Sequence, residues 1–400
     1  MEIKQPRLLY LDVPFENEPG GDKNRSRFLF QTLREAFETD VVLMGKDGQS
    51  TRPAWTCYQP LALLSPTPPR FPSPSATPDF SAADRARFSQ LLRDGQYDAV
   101  VGRFYTGSRL LSLVHEASPD TAVIMDVDMV SSRLVALSWA GHRSLSHRWF
   151  LFEKWKLLHY EKALFRNPWQ FLFSNPEEMA EIRDHVAPRQ TPGDFTLVPN
   201  TMPDVIRIPG PHRQPYILFF GSMDSAANND GYAFLIDGVL PLLEETLREH
   251  NIMIRVVGKN PPAHFRERLE RSGSDRVVLV GGVDSIEQAI AESLFVLLPL
   301  RVASGTRTRI LEAAAQARAV ITTPIGAEGL DVGDTVLIGV DAKELAAHTI
   351  ALLEEPERAD LLGGRLEDRC LSLYAANRVA GNMVNSLRRF LGGRPDNTAG

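Results

Sequence analysis

Cysteine is nearly absent from this 400-residue chain: only Cys57 and Cys370 occur, far apart. That excludes a disulfide framework and a cysteine-rich zinc site, and it fits a reducing, cytoplasmic compartment. The nine histidines form no HExxH or other ligand spacing. Neither a Walker A loop nor a G-x-G-x-x-G turn is present, so no bound metal or cofactor is expected. No stretch approaches the ~18 consecutive apolar residues that cross a bilayer. Positive charge is not in excess either. The formal net charge is −6, which argues against a surface built to grip nucleic acid. The opening MEIKQPRLLYLDV has only a short apolar run before it turns acidic, and reads as a first strand rather than a signal peptide.

What the chain does have is alternation. RLLYLDV (7–13), DVVLM, YDAVV and TAVIMDV read as buried strands, with a helix over 23–37 after the Gly20-Gly21 turn. Strand–helix alternation of this kind builds a parallel sheet covered by helices. Residues 60–78 break it with seven prolines and read as a long extended loop. A proline-rich stretch over 208–215 has the composition of an interdomain linker. Alternation then restarts with YILFFG (216–221), a helix near 229–248, IMIRVVG, a helix near 262–271, RVVLVGG, LFVLLPL, a helix over about 307–317 and AVITT. After Asp341 the pattern is helical to Leu391. Two α/β domains follow, each with ligand-binding loops at the carboxyl ends of its strands.

The densest chemistry lies in 298–312, LPLRVASGTRTRILE. An apolar strand runs into a small-residue loop, Ser304-Gly305-Thr306, and then a helix for which Thr306 can serve as N-cap. Free N–H groups at such a start favour an anion such as a diphosphate. Arg301, Arg307 and Arg309 add positive charge. Arg307, in the first turn, can splay toward solvent. Glu312 is placed to accept hydrogen bonds from ribose hydroxyls. The plain alternative is an ordinary Arg309–Glu312 helix pair beside two solvated arginines.

The pieces FFGSMD, Asn228, VLPLL, VVGKNPP, LVGGVDS, LPLRVASGTRTRILEAAAQ and ITTPIGAEGL occur in the order and spacing of glycosyltransferase family 4, which residues 216–330 resemble. The resemblance implies a GT-B fold, in which two Rossmann-like parallel-sheet domains face a cleft. It also implies sugar transfer with retention of configuration and without a bound metal. By position, Gly221 and Ser222 would approach the donor phosphates, and Lys259 would follow the second glycine turn. Gly281 to Val283 would meet the base. Glu312 matches the second glutamate of the family's Glu-x7-Glu motif and would hold the ribose; Gly305 and Thr306 fall between the two. The first glutamate is replaced by Ser304, as in a subgroup that this chain resembles most. Gly282 stands where an aromatic residue is usual. Arg301, Arg307 and Arg309 are therefore expected to share the diphosphate.

The first half resembles the family less closely. Gly20 and Gly21 could bring N–H groups to donor or acceptor, or simply turn the chain. AVIMDVDMVSSRL places Asp126 and Asp128 at a strand end. There a carboxylate could orient or deprotonate an acceptor hydroxyl, or cap the next helix. VPN (198–200) resembles the last strand before the crossover. Residues 133–166 carry seven Lys/Arg against two Glu, with seven aromatic side chains. Such a helix either lies on an anionic membrane surface, here the inner face, or packs on the sheet with its charges solvated.

The resulting expectation is an acceptor-side domain over 1–207, a nucleotide-sugar-binding domain over 215–372 and a helix over 373–392 that by resemblance crosses back. The reaction joins a sugar from a nucleoside diphosphate donor to a hydroxyl of a glycan or lipid-linked acceptor, as in polysaccharide biosynthesis. A nucleotide-sugar epimerase on the same fold and a non-catalytic nucleotide-sugar-binding module are the alternatives.

Overall fold

A computed structural model describes residues 5–13, 21–45, 60–69, 73–139, 147–186, 194–205, 215–223, 225–302 and 305–392. The chain divides into two compact units, 1–199 with 377–400, and 200–376. The linker read at 208–215 lies outside the described residues except for Pro215, and the unit boundary falls earlier, after Pro199.

The first unit is built on β1 (Arg7–Asp12), β2 (Glu38–Met44), β3 (Ala62–Leu64), β6 (Ala99–Arg103), β7 (Ala122–Val127), β8 (Gln170–Phe173) and β9 (Asp194–Leu197). Their order is β3-β2-β1-β6-β7-β8-β9, with every pairing parallel. A small antiparallel pair, β4 (Pro66–Thr67) and β5 (Asp79–Phe80), lies beside it in sequence.

Successive side chains on a strand point to opposite faces, and both faces are apolar here. Leu9 and Leu11 join one buried cluster with Val42, Met44, Phe88 and Leu110. Leu8 and Tyr10 join another with Phe28, Leu29 and Leu33 of the helix Gly21–Ala36. That second cluster is completed by Val379, Met383 and Leu387 of the final helix, Ala376–Gly392.

The second unit repeats the plan with β10 (Tyr216–Phe220), β11 (Met253–Val257), β12 (Val277–Gly281), β13 (Phe295–Leu298), β14 (Val320–Thr322) and β15 (Leu337–Ile338). The order is β12-β11-β10-β13-β14-β15, again parallel throughout. Ile217 and Phe219 bury on one face, Leu218 and Phe220 on the other.

In the main sheet of the first unit, three strands depart from the sequence expectation. The proline-rich segment is not wholly loop: Ala62–Leu64 adds to the sheet as its edge strand, where missing amide donors are tolerated. The four-residue β8 sits inside an aromatic stretch that masks its period. The last strand of the first unit is Asp194–Leu197, and Val198 only continues its bonding, its N–H donating to the Phe173 carbonyl at 2.7 Å.

Leu387 is fully buried among sheet residues of the first unit. Leu387→Ala should lower the unfolding free energy by about 2–5 kcal/mol, read from urea denaturation of the full chain. A loss below about 1 kcal/mol, in the range of an ordinary surface change, would show that the final helix is not seated on that sheet.

Candidate functional site

Strand order reverses between β1 and β6 in the first unit and between β10 and β13 in the second. Beyond the carboxyl ends of strands at such a point, an open α/β sheet binds its ligands. Both points hold charged side chains here.

In the second unit β10 runs into Gly221, with φ at +152°. A Cβ there would lie 2.6 Å from Asn228 Nδ2 and 2.9 Å from Arg309 Nη1. The missing side chain is what lets both residues close over the turn. Arg309 Nη1 donates to the Phe220 carbonyl at 3.0 Å and to Asn228 Oδ1 at 2.6 Å. Asn228 Nδ2 in turn donates to the Ser222 carbonyl at 2.6 Å. The helix Ala226–Phe234 is held in register by its cap, Ser225, whose Oγ accepts from the Asn228 N–H.

The neighbouring strand ends are equally close. Gly258 N–H donates to the Gly281 carbonyl at 2.8 Å, and a Cβ on Gly258 would sit 2.1 Å from the Gly221 carbonyl oxygen. Lys259 follows, exposed. Gly281 takes a left-handed φ of +81°, and Val283 packs partly buried against the core. Gly221, Ser222, Lys259, Gly281 and Val283 thus all occupy the carboxyl ends of β10, β11 and β12.

The β13 side departs from the sequence reading in three ways. The helix begins at Thr308 and its cap position is Arg307, not Thr306; no side chain caps it. Gly305, at φ +72°, turns the chain tightly just before. Arg307 does not splay toward solvent. It is 4% exposed, and its guanidinium donates to the Ile325 carbonyl at 2.9 Å and to the Gly305 carbonyl. It pins the loop to the turn after β14. Arg301 is engaged elsewhere again: it forms a bidentate pair with Asp230, at 3.0 and 2.7 Å, and lies over the Phe234 ring. The three arginines therefore have three different attachments and do not converge as an equivalent set. Ser304 lies outside the described residues.

Glu312 stands one helical turn beyond Arg309, half-buried. Burial pushes its carboxyl up to about 7, with Arg309 opposing. Burial also pushes the Arg309 guanidinium down to about 10, against the pull of Glu312. Among the described residues, none donates a hydrogen bond to the Glu312 carboxylate.

The first unit gathers five buried ionic side chains at its own reversal point. Asp12 ends β1, Arg103 ends β6, and Asp126 and Asp128 flank the end of β7; Arg25 comes from the helix Gly21–Ala36. Arg25 binds Asp126 in bidentate fashion and donates to the Val198 carbonyl at 2.8 Å. Arg103 lies 3.2 Å from Asp126, 3.5 Å from Asp12 and 3.6 Å from Asp128. Ser26 donates to Asp12, whose carboxyl is nevertheless pushed up by burial.

Asp126 is fully buried between two guanidiniums, so it is a counter-ion and is not presented to an acceptor. Asp128 is 5% exposed, with Ser174 Oγ donating to its carbonyl at 2.7 Å. At the start of the next helix, Glu178 accepts from the Val130 N–H and Glu161 from the Ser132 N–H. Sequence reasoning missed Arg25, Arg103 and Asp12. The signal was there in part: an apolar strand closed by arginine (AVVGR) and another closed by aspartate (RLLYLD) put charge where burial begins. Gly21 opens its helix, and Gly20 lies outside the described residues.

Residues 214–355 match the family model of glycosyl transferases group 1. No curated protein matches the chain. Solved structures do. Sucrose-phosphate synthase from Thermosynechococcus elongatus matches with a TM-score of 0.71 at 16% identity, over 98% of this chain and 100% of that one. HepE of Anabaena, in complex with UDP and glucose, matches at 0.63 and 13% identity over 96% and 99%. WaaG, a glycosyltransferase involved in lipopolysaccharide biosynthesis, matches at 0.64 and 15% identity over 94% and 98%. The likeness establishes the fold as GT-B, with two Rossmann-like parallel-sheet units.

The Glu312 carboxyl has a measurable consequence. Its folded-state pKa, about 7, lies above the ordinary 4.5, so the folded state holds the proton more tightly. The stability this contributes is complete below about pH 4.5 and is lost as pH rises through about 7. Thermal midpoints of the wild type, relative to Glu312→Gln, should fall between pH 5 and pH 8. Parallel profiles for the two proteins would contradict the burial of this carboxyl.

Proposed function

We propose that the protein is a glycosyltransferase that takes a sugar from a nucleoside diphosphate donor held by the second unit. The observation that carries the reading is the Gly221–Asn228–Arg309 junction with Glu312 one turn further on. A cation and a carboxylate without a hydrogen-bond donor stand together at the strand ends where this fold binds ligands. The group 1 match covers this same unit.

In this reading the Arg309 guanidinium and the Gly221–Ser222 turn face the diphosphate as negative charge grows on the leaving oxygen. Such fixed donors act where charge develops and need no reorganisation. Glu312, ionised, accepts the ribose hydroxyls. Gly281, Gly282 and Val283 border the base, and Lys259, Gly305 and Thr306 border the phosphates. Arg307 braces the loop instead of binding the donor, and Arg301 contributes only if it leaves Asp230. Asp128, held beside Arg25 and Arg103, orients the acceptor hydroxyl of a glycan or a lipid-linked sugar. Retention of configuration, by attack on the face the leaving phosphate occupies, follows from the family 4 resemblance.

Calorimetry with UDP, the nucleotide bound in the HepE structure, should give a clear affinity for the wild type. Glu312→Ala should weaken it by about 1.5–3 kcal/mol, the usual worth of a hydrogen bond to a charged group. Arg309→Ala should lower sugar-dependent release of nucleoside diphosphate about 100-fold, and Arg301→Ala much less. Near-normal turnover in Arg309→Ala, with circular dichroism showing a native fold, would place the diphosphate elsewhere.

Because these charges belong to the chain itself, turnover should survive chelation. Activity abolished by EDTA and restored by Mn²⁺ or Mg²⁺ would mean that a metal shares the leaving-group charge.

A further inference from the structure

The helix His147–Leu164 distributes its side chains in an uneven way. Both of its acidic residues face inward. Glu161 is fully buried and accepts from the Tyr105 hydroxyl at 2.9 Å and the Ser132 N–H. Glu153 is 3% exposed, accepts from the Ser75 hydroxyl at 2.7 Å and pairs with Lys156. The outward face is left without a carboxylate.

That face opens with Leu151, Phe152 and Trp155, which are 47, 40 and 52% exposed. It continues through His159 to Lys162 and, just beyond the helix, Arg166, all exposed. The apolar part is ordered by its own contacts. Phe152 and Trp155 stack with ring centroids 5.9 Å apart, Trp155 lies 4.3 Å from the His159 ring, and Lys156 Nζ sits over Phe152. Three large apolar side chains within five residues, held open to water, are a liability unless something covers them.

We propose that this face docks on an anionic lipid bilayer. Leu151, Phe152 and Trp155 form the wedge that enters the acyl–headgroup boundary, and Lys162 and Arg166 meet the lipid phosphates. Charge decides between occupants. With both helix carboxylates turned inward, this face offers exposed cations beside exposed apolar rings and no anion from its own helix, which matches a surface with phosphates above and acyl chains below. Aromatic rings with a polar rim favour the membrane interface. No helix among the described residues is long and apolar enough to cross a membrane, so the contact is peripheral. The inference stands apart from the nucleotide-sugar reading, because it concerns a different surface.

Flotation of the full chain with phosphatidylcholine vesicles containing about one-third phosphatidylglycerol tests it, at low and at raised salt. Wild type should float with the anionic vesicles, and its partitioning should drop with salt. Trp155→Glu should reduce partitioning at least about tenfold, and a Lys162→Glu, Arg166→Glu double variant by a similar factor, since each basic residue near such a surface contributes measurably. All substituted side chains are exposed, and UDP affinity or circular dichroism verifies the fold. No flotation of the wild type overturns the proposal. So does equal binding to pure phosphatidylcholine, unchanged partitioning in both variants, or sedimentation showing a dimer that Trp155→Glu dissolves.

Discussion

Parallel pairing is the constraint from which the rest follows. Two adjacent strands can run parallel only if the chain returns outside the sheet between them. Every strand of a sheet then ends on the same edge. In the first unit that edge collects Asp12, Arg103, Asp126 and Asp128. In the second it collects Gly221, Gly258, Gly281 and the start of the helix carrying Arg309 and Glu312. Side chains spread over nearly the whole length of each unit meet for this reason alone. No local signal brings Asp12 beside Arg103, or Phe220 beside Arg309.

The two edges solve the problem of charge differently. In the first unit two guanidiniums are wholly removed from water, and each is surrounded by carboxylates. Burying an ion is costly, and removing one partner of such a set leaves the others stranded at about 3–5 kcal/mol. The cluster is thereby locked as a unit, and Asp128 inherits a fixed position from it. In the second unit Arg309 is bound by a carbonyl and an amide oxygen, both neutral. Its charge is not cancelled there, which leaves it able to respond to an incoming anion.

Much of this was legible in the chain. The strands β1, β2, β6, β7, β10, β11, β13 and β14 are apolar runs between punctuation, because strands buried on both faces need apolar residues at nearly every position; the edge strand β12 is apolar too, although Val278 and Val280 stay exposed. Edge strands have no such requirement. Ala62–Leu64 and Leu337–Ile338 are short, and periodicity has too little length to act on. The position of Glu312 relative to Arg309 could be read from helical spacing. The fate of Arg307 could not, since its partner, the Ile325 carbonyl, belongs to the turn after another strand. Nor could the sequence say that Asp126 lies fully buried in a bidentate pair with Arg25 while Asp128 sits 3.6 Å from both arginines. On paper they are two equivalent aspartates on either side of one valine.

The final helix gives the order of synthesis a structural meaning. Residues 200–376 form one uninterrupted unit, and all of it is synthesised before Val379, Met383 and Leu387 are made. Those three belong to the apolar layer over Leu8, Tyr10, Val41 and Leu43. The first unit therefore carries an unfinished core until these later residues arrive. Domains generally complete themselves as they emerge, amino-terminal first; here the second unit can close before the first. A nascent chain stalled or clipped near residue 376 would carry its defect at the opposite end of the sequence from the cut.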